Sequence, residues 1–297
     1  LGFKSGFVAI IGKANVGKST LFNTLLGQKI SITSRKPQTT RNRILGVYNE
    51  PECQIVFIDT PGIHTSNRQK GLNRFMNKTA LSASEDADIV AVMIEATSLF
   101  DDLDAGIIRG LADKKSPILL LINKIDAVNR THLLPLIDKV RGLSDFHSIV
   151  PISALRAEGI REFVGEIKGL LPEGQPYFPE DTLTDQSERF IVGEIIREKI
   201  IMLTRQELPY STAVVVDEFK EDEQRNLLSV SATVFVEKDS QKGIIIGRGG
   251  GLIKSIGTAA RKDIEVFFDT HVFLDLRVKV MRDWAKNEET IGRLGYT

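Results

Sequence analysis

A single cysteine, Cys53, is all the thiol this 297-residue chain has, so neither an intrachain disulfide nor a cysteine metal cluster can form. A reducing compartment suits that scarcity. Four histidines, His64, His132, His147 and His271, supply no H-x-x-x-H pair for a metal. No apolar run reaches the roughly 18 residues that a membrane span needs, and the N-terminus lacks the layout of a cleavable signal peptide. A cytoplasmic protein is therefore the expectation. A surplus of one charge is missing as well: 39 Lys and Arg balance 39 Asp and Glu, which leaves no bulk attraction for a polyanion. Residues 176–297 hold 17 basic against 21 acidic side chains, so a nucleic-acid surface in that half has to be local.

What is present is the composition of a folded protein long enough for two domains. In the first half, the runs 7–12, 54–59, 88–96, 117–124 and 148–153 are dense in Val and Ile and read as buried parallel strands. Helical spacing fills 18–26, 72–84, 101–113, 130–142 and 158–170, which predicts an α/β domain with a mostly parallel sheet. The stretch ILGVYNEPECQIVFID adds one antiparallel edge hairpin. We place this domain at 1–172, a proline-rich and acidic linker at 173–187, and a second domain at 188–297. The order helix, two strands, two helices, strand makes the second a smaller α+β domain.

GKANVGKS, Gly12 to Ser19, fits G-x-x-x-x-G-K-[ST] between a strand and a helix. Main-chain N–H groups of Gly12, Lys13, Ala14, Asn15, Val16, Gly17 and the helix start through Thr20 can surround phosphates. Lys18 can span the β and γ groups, and the Ser19 hydroxyl can hold Mg²⁺. Asp59, Thr60, Pro61 and Gly62 end a core strand, where the acid can reach the metal through water and the Gly62 N–H can sense a γ-phosphate. In INKID, Asp126 can accept hydrogen bonds from guanine N1–H and the 2-amino group, a donor pair that adenine lacks. Asn123 steadies the neighbouring loop, and Lys124 lies over the base. Ser153, Ala154 and Leu155 end the last strand and can present an N–H to guanine O6. Four such segments at strand ends, in this order, indicate GTP rather than ATP.

The second domain carries KGIIIGRGGGLIKSIGTAARK, 242–262, with five basic residues and no acid. No Walker lysine and hydroxyl follow its glycines, so it reads as a tight turn between helices rather than as another phosphate loop. Glycines there let a nucleic-acid backbone approach the main chain, and a helix N-terminus attracts phosphate. A G-x-x-G loop, Gly247-Arg248-Gly249-Gly250, clamps single-stranded RNA in KH domains. Lys242, Lys254, Arg261 and Lys262 add local positive charge, and Ile244, Ile246, Ile253 and Ile256 are placed under the loop or along a base groove.

With these motifs the chain resembles, over nearly its full length, the Era-like GTPases of the TrmE-Era-EngA-like group, which join a P-loop GTPase domain to a C-terminal type II KH domain. The resemblance implies GTP hydrolysis to GDP with Mg²⁺, with Ser34–Arg43 as the first switch and Thr40, beside Thr39, as a metal ligand with Ser19 and Asp59. Lys18, Thr40 and Gly62 are then the catalytic set. Asn15 matches an asparagine that relatives use to recruit K⁺. Ile63 stands where some GTPases place a glutamine that orients water, so slow intrinsic turnover is expected. The resemblance further implies binding to the 3′ end of 16S ribosomal RNA, a role in small-subunit assembly, a monomer, and a peripheral inner-membrane pool. The competing reading is an RNA-binding assembly scaffold with negligible turnover.

Overall fold

The structure is a computed structural model that describes all residues except 1, 35, 65–70, 98, 99, 113, 206, 207 and 297, together with all described side chains but that of Arg130. Arg35, one of the bases expected in the first switch, lies outside the described residues. The chain divides into two compact units, 1–31, 40–69 and 73–185 in one, and 32–39, 70–72 and 186–297 in the other.

The first unit runs β1 (Lys4–Gly12), α1 (Lys18–Leu26), β2 (Ile44–Glu50), β3 (Cys53–Asp59), α2 (Leu72–Ala83), β4 (Ile89–Glu95), α3 (Asp102–Leu111), β5 (Ile118–Asn123), α4 (Leu133–Val140), β6 (Phe146–Pro151) and α5 (Ile160–Leu170). Its six strands are ordered β2-β3-β1-β4-β5-β6. Only β2 is antiparallel, as the edge hairpin predicts. Strands β3 and β5 are buried at every position, which is why they read as unbroken apolar runs without alternation. Helix α3 starts with a capping box in which Asp101 accepts from the N–H groups of Leu103 and Asp104 at 3.0 and 3.1 Å. Helix α4 begins at Leu133 after a short 3-10 turn, later than its apolar spacing suggests, with Pro135 in its first turn where a missing N–H is harmless.

The proline-rich stretch expected to link two domains is hydrogen-bonded to the first unit. The Gly174 N–H reaches Phe3 O at 2.9 Å, the Val47 N–H reaches Leu183 O at 2.9 Å, and Gln54 Oε1 accepts from Tyr177 and Phe178. Tyr177 also packs its ring 4.7 Å from Phe7. Several of its main-chain groups thus find partners within the first unit.

The second unit runs α6 (Glu188–Leu203), β7 (Thr212–Asp222), β8 (Leu227–Val236), α7 (Asp239–Ile246), α8 (Gly251–Phe268), β9 (His271–Val280) and α9 (Glu288–Arg293). The sheet order is β7-β8-β9, with β9 parallel to β8. Residues Ile191, Ile195, Val230, Val234, Ile245, Ile256 and Ile264 are among those filling its core. Arg197, Glu198 and Lys199 are buried on α6. Residues 32–39 belong to this unit through contacts with α6 and the residue after it: the Arg197 guanidinium donates to Thr39 O, the Thr33 N–H reaches Glu198 Oε1 at 3.2 Å, and Lys36 Nζ reaches Thr204 O at 2.6 Å. A helix with three successive buried charges defeats a reading based on one apolar face.

Trp284, the only tryptophan, is fully buried. Its indole donates to Ser211 O at 3.1 Å and stacks on Tyr296 with centroids 5.9 Å apart. Trp284→Ala should lower stability by about 3–5 kcal/mol, from lost burial and an orphaned carbonyl. Chemical denaturation followed by far-ultraviolet circular dichroism measures this; a loss under about 1 kcal/mol would mean the tail is not packed as described.

Candidate functional sites

The phosphate loop joins β1 to α1 through Gly17, whose φ is +108°. A Cβ there would sit 2.2 Å from Asn123 Nδ2, so both the left-handed backbone and the close approach call for glycine. Asn123 uses that closeness: Nδ2 donates to Val16 O at 2.7 Å while Oδ1 accepts from the Ala154 N–H at 2.9 Å. One side chain at the end of β5 therefore ties together the phosphate loop and the segment after β6.

Lys18 is buried, with its ammonium on the carbonyls of Gly12 at 3.1 Å and Lys13 at 2.8 Å. Burial pulls its pKa down to about 8. The Lys13 side chain turns away to Asp101 and Asp104, so only its main chain is available to phosphates. Ser19 Oγ lies 2.7 Å from both Thr40 Oγ1 and Asp59 Oδ2. Asp59 is fully buried, which raises its pKa, and its Oδ1 has no hydrogen-bond partner. Three converging oxygens with an orphaned carboxylate oxygen fit Mg²⁺, a hard cation that takes hydroxyl and carboxylate ligands beside phosphate. Ser31 was not foreseen: its hydroxyl donates to Asp59 Oδ2 at 2.7 Å, and Asn23 Oδ1 holds the Ser31 N–H at 2.9 Å. No spacing rule points to that serine.

Thr60 Oγ1 donates to Ile10 O at 2.6 Å, and the Ile63 N–H reaches Gly12 O at 3.1 Å, which fixes Pro61 and Gly62 against the phosphate loop. His64 is largely enclosed. Asn77 brackets its main chain at 3.1 and 3.0 Å, its Nε2 is buried, and burial lowers its pKa. At the base end, Asp126 Oδ1 accepts from Ser153 Oγ at 2.7 Å, Lys124 pairs with Glu95, and Leu155 is exposed. The sequence motifs at 12–20, 59–62, 123–126 and 153–155 thus meet at one end of the sheet, at the C-terminal ends of β1, β3, β5 and β6, as ligand sites in open α/β sheets do.

In the second unit, α7 ends at Ile246 and the chain turns through Gly247, Gly249 and Gly250, with φ of +72°, +56° and +78°, before α8. Lys242, Arg248, Lys254, Arg261 and Lys262 make no ion pair or side-chain hydrogen bond among the described residues. A groove of about 410 Å³ lies between α8 and β9, lined by Ile253, Lys254, Gly257, Thr258 and Arg261 and by the strand residues Val272, Phe273, Leu274 and Leu276. Of the isoleucines expected there, Ile253 lines it. Ile256 is core, Ile244 is exposed, and Ile245 faces inward instead of its neighbours. Three consecutive isoleucines gave no period to tell them apart.

Gly257 sits inside α8 on the groove face, where a Cβ would lie 3.5 Å from Leu276 Cδ1, an ordinary contact. Gly257→Ala should therefore stabilise the fold by about 0.5–1 kcal/mol through helix propensity, while weakening any ligand that enters the groove. Thermal unfolding and RNA titration of the same variant check both signs; tighter RNA binding would exclude the groove as the ligand path.

Comparison with known proteins agrees with both sites. The family described as 50S ribosome-binding GTPase matches residues 7–124, and the KH domain family matches 207–285. The chain is 52% identical to GTPase Era of Syntrophus aciditrophicus over 294 residues, 99% of this chain and 95% of that one. It is 51% identical to GTPase Era of Geobacter metallireducens over 295 residues, 99% and 98% of the two chains. A crystal structure of Era with MgGDPNP and nucleotides 1506–1542 of 16S ribosomal RNA superposes with a TM-score of 0.95 at 43% identity, covering 99% of both chains. An Aquifex aeolicus Era variant bound to GDP and aluminium fluoride gives 0.95 at 42% identity, covering 99% of this chain and 100% of that one.

Proposed function

The chain belongs to the GTPase Era family, and on that premise we propose that it is a two-site switch: it hydrolyses GTP in its first unit, holds the single-stranded 3′ end of 16S ribosomal RNA in its second, and assists small-subunit assembly. The observation that carries the RNA half is the set of five cations from Lys242 to Lys262, without an ion pair among the described residues, on the segment that carries the glycine turn and one wall of the groove. A related Era has been crystallised with that RNA segment and MgGDPNP.

For hydrolysis, Mg²⁺ supplies neutralisation of charge on the transferred phosphoryl group. The Lys18 ammonium, released from the Gly12 and Lys13 carbonyls, adds positive charge beside the β and γ phosphates. The Gly62 N–H and the phosphate-loop amides are fixed donors that need no reorganisation. Ser19, Thr40 and Asp59 would hold the metal, and Asp126 reads guanine. Ile63 has no polar atom in its side chain to orient water, so turnover without a partner is slow. A scaffold with negligible turnover would not need the convergence of Ser19, Thr40 and Asp59 oxygens within 2.7 Å contacts.

Asn15, with φ of +65° in the phosphate loop, is the proposed recruiter of K⁺. GTPase rates in potassium should exceed those in sodium at equal ionic strength, and Asn15→Ala should erase the difference; equal wild-type rates in the two salts would remove the ion from the account. The proposal places the protein, as a monomer, in the cytoplasm with a peripheral inner-membrane pool. Among the described residues no helix is long and apolar enough to cross a bilayer. Crosslinking to ribosomal RNA followed by sequencing tests the partner; recovered reads without enrichment at the 16S 3′ end would overturn it.

A further inference from the structure

Asn23 follows Ser19 by four residues on α1, so the two side chains share one face of that helix. Asn23 uses both ends of its amide on the segment after α1: Oδ1 accepts from the N–H groups of Ile30 and Ser31 at 3.0 and 2.9 Å, and Nδ2 donates to Ser31 O at 2.7 Å. The main chain of Ser31 is thereby clamped on both sides. Its hydroxyl has one proton to give, and it gives that proton to Asp59 Oδ2 at 2.7 Å, with both residues fully buried.

Helix α1 therefore reaches Asp59 twice, directly through Ser19 Oγ at 2.7 Å and indirectly through Asn23 and Ser31. Both hydroxyls fall on the same carboxylate oxygen, Oδ2, and Oδ1 is left without a partner. A single donor would let the carboxylate turn about its Cβ–Cγ bond, whereas two donors from separate segments resist the turn, because exchanging the oxygens breaks both bonds. Oδ1 thus stays the oxygen open to a metal that keeps part of its water shell. Ser19 serves the metal as well as Asp59, but the Ser31 hydroxyl is committed to Asp59.

We propose that Ser31, held by Asn23, is a positioning residue for Mg²⁺: its hydroxyl fixes which oxygen of Asp59 is open to the metal, and so sets how tightly the nucleotide-bound protein holds the ion. This rests on the reading of Ser19, Thr40 and Asp59 as the metal's holders and adds the side chain that orients one of them. Removing a hydrogen-bond partner that orients a metal-binding group lowers metal affinity by about tenfold to a hundredfold. Guanine recognition at Asp126 is untouched by it.

The test follows release of a fluorescent GDPNP from the full chain, chased by excess GTP, across a range of Mg²⁺ concentrations and in EDTA. Mg²⁺ should slow release from the wild type. Ser31→Ala should raise the Mg²⁺ concentration that gives half of this slowing by about tenfold to a hundredfold, while the rate in EDTA stays within about twofold of wild type. Ser31→Cys fills nearly the same volume with a weak donor, so it should match Ser31→Ala, and it answers the question if the alanine variant does not fold. Ser19→Ala, which removes a proposed ligand, should shift the midpoint in the same direction. Wild-type midpoints in S31A and S31C beside a shifted S19A overturn the role of Ser31 and leave the metal site standing. Unshifted midpoints in all three variants, or release from the wild type that ignores Mg²⁺, remove the metal reading and the role of Ser31 with it. Release from S31A that is faster by one factor with and without Mg²⁺ would assign the serine to loop packing and overturn its part in holding the ion.

Discussion

Asp126→Asn should turn a GTP-binding protein into one that prefers xanthosine triphosphate. Asp126 lies in the 3-10 turn just beyond β5 with only 14% of its side chain exposed, accepting from Ser153 Oγ at 2.7 Å and pairing with Arg156 at 3.7 Å. Facing guanine it would accept two hydrogen bonds, each to a charged acceptor and each contributing about 1.5–3 kcal/mol. Asparagine keeps one acceptor and turns the other into a donor aimed at the 2-amino group. GTP affinity should fall by roughly a hundredfold or more, because a buried mismatch of donors leaves both unsatisfied. Xanthine carries a carbonyl in place of the amino group and accepts the new donor. Competition of GTP and xanthosine triphosphate for a fluorescent nucleotide measures the switch, and unchanged GTP affinity would sink the guanine assignment.

Gly249→Asp should separate the two sites in the opposite direction. Gly249 has φ of +56°, and a Cβ there meets nothing within 4 Å. Steric collision is thus excluded as the cause, leaving the left-handed backbone, which costs a non-glycine residue about 1–2 kcal/mol, and the new charge. A carboxylate beside Arg248 repels the RNA phosphates and partly neutralises the local field; at about 4 Å and an effective dielectric constant near 20, one such pair is worth about 4 kcal/mol. RNA affinity should drop by tenfold to a thousandfold, on the order of the sum of those terms after screening. GTP affinity should stay within about twofold of wild type. Gly249→Asn carries the backbone strain without the charge and should lose much less. RNA crosslinking by G249D at the wild-type level would rule out the turn as the clamp.

The phosphate loop and its companions were legible because their chemistry demands fixed residue types at fixed offsets from strand ends. Lys18, Asp59, Asn123 and Ser153 are recognisable for that reason. Their supports were not. Ser31 reaches Asp59 across 28 positions, and Asn23 holds Ser31 from α1, contacts that leave no local pattern. The proline-rich stretch was legible as a linker, but its main-chain pairing with the first unit was not, because its side chains show no period. On α6, Arg197 to Lys199 are buried without any local signal for it, because their partners, Thr39 O, the Thr33 N–H, Glu194 and Asp263, lie outside that triplet, all but Glu194 far away in the chain. In the second unit the element order followed directly from alternation and glycine placement. A base groove was expected from the isoleucines, but the β9 residues that line it were not, since no local pattern marks them.

In the proposed switch, residues 32–39, which run from hydrogen bonds on α6 into Thr40, are the segment through which nucleotide state would act. The central claim, that the two sites form one switch, is tested most directly by a linkage measurement. Affinity for an RNA of the 16S 3′ end is determined with the protein loaded with GDP or with a non-hydrolysable GTP analogue. Preference for the analogue over GDP is then determined with and without that RNA. The account predicts that both ratios change by the same factor, on the order of five- to a hundredfold, as reciprocity requires. RNA affinity that is equal in the two nucleotide states would contradict it.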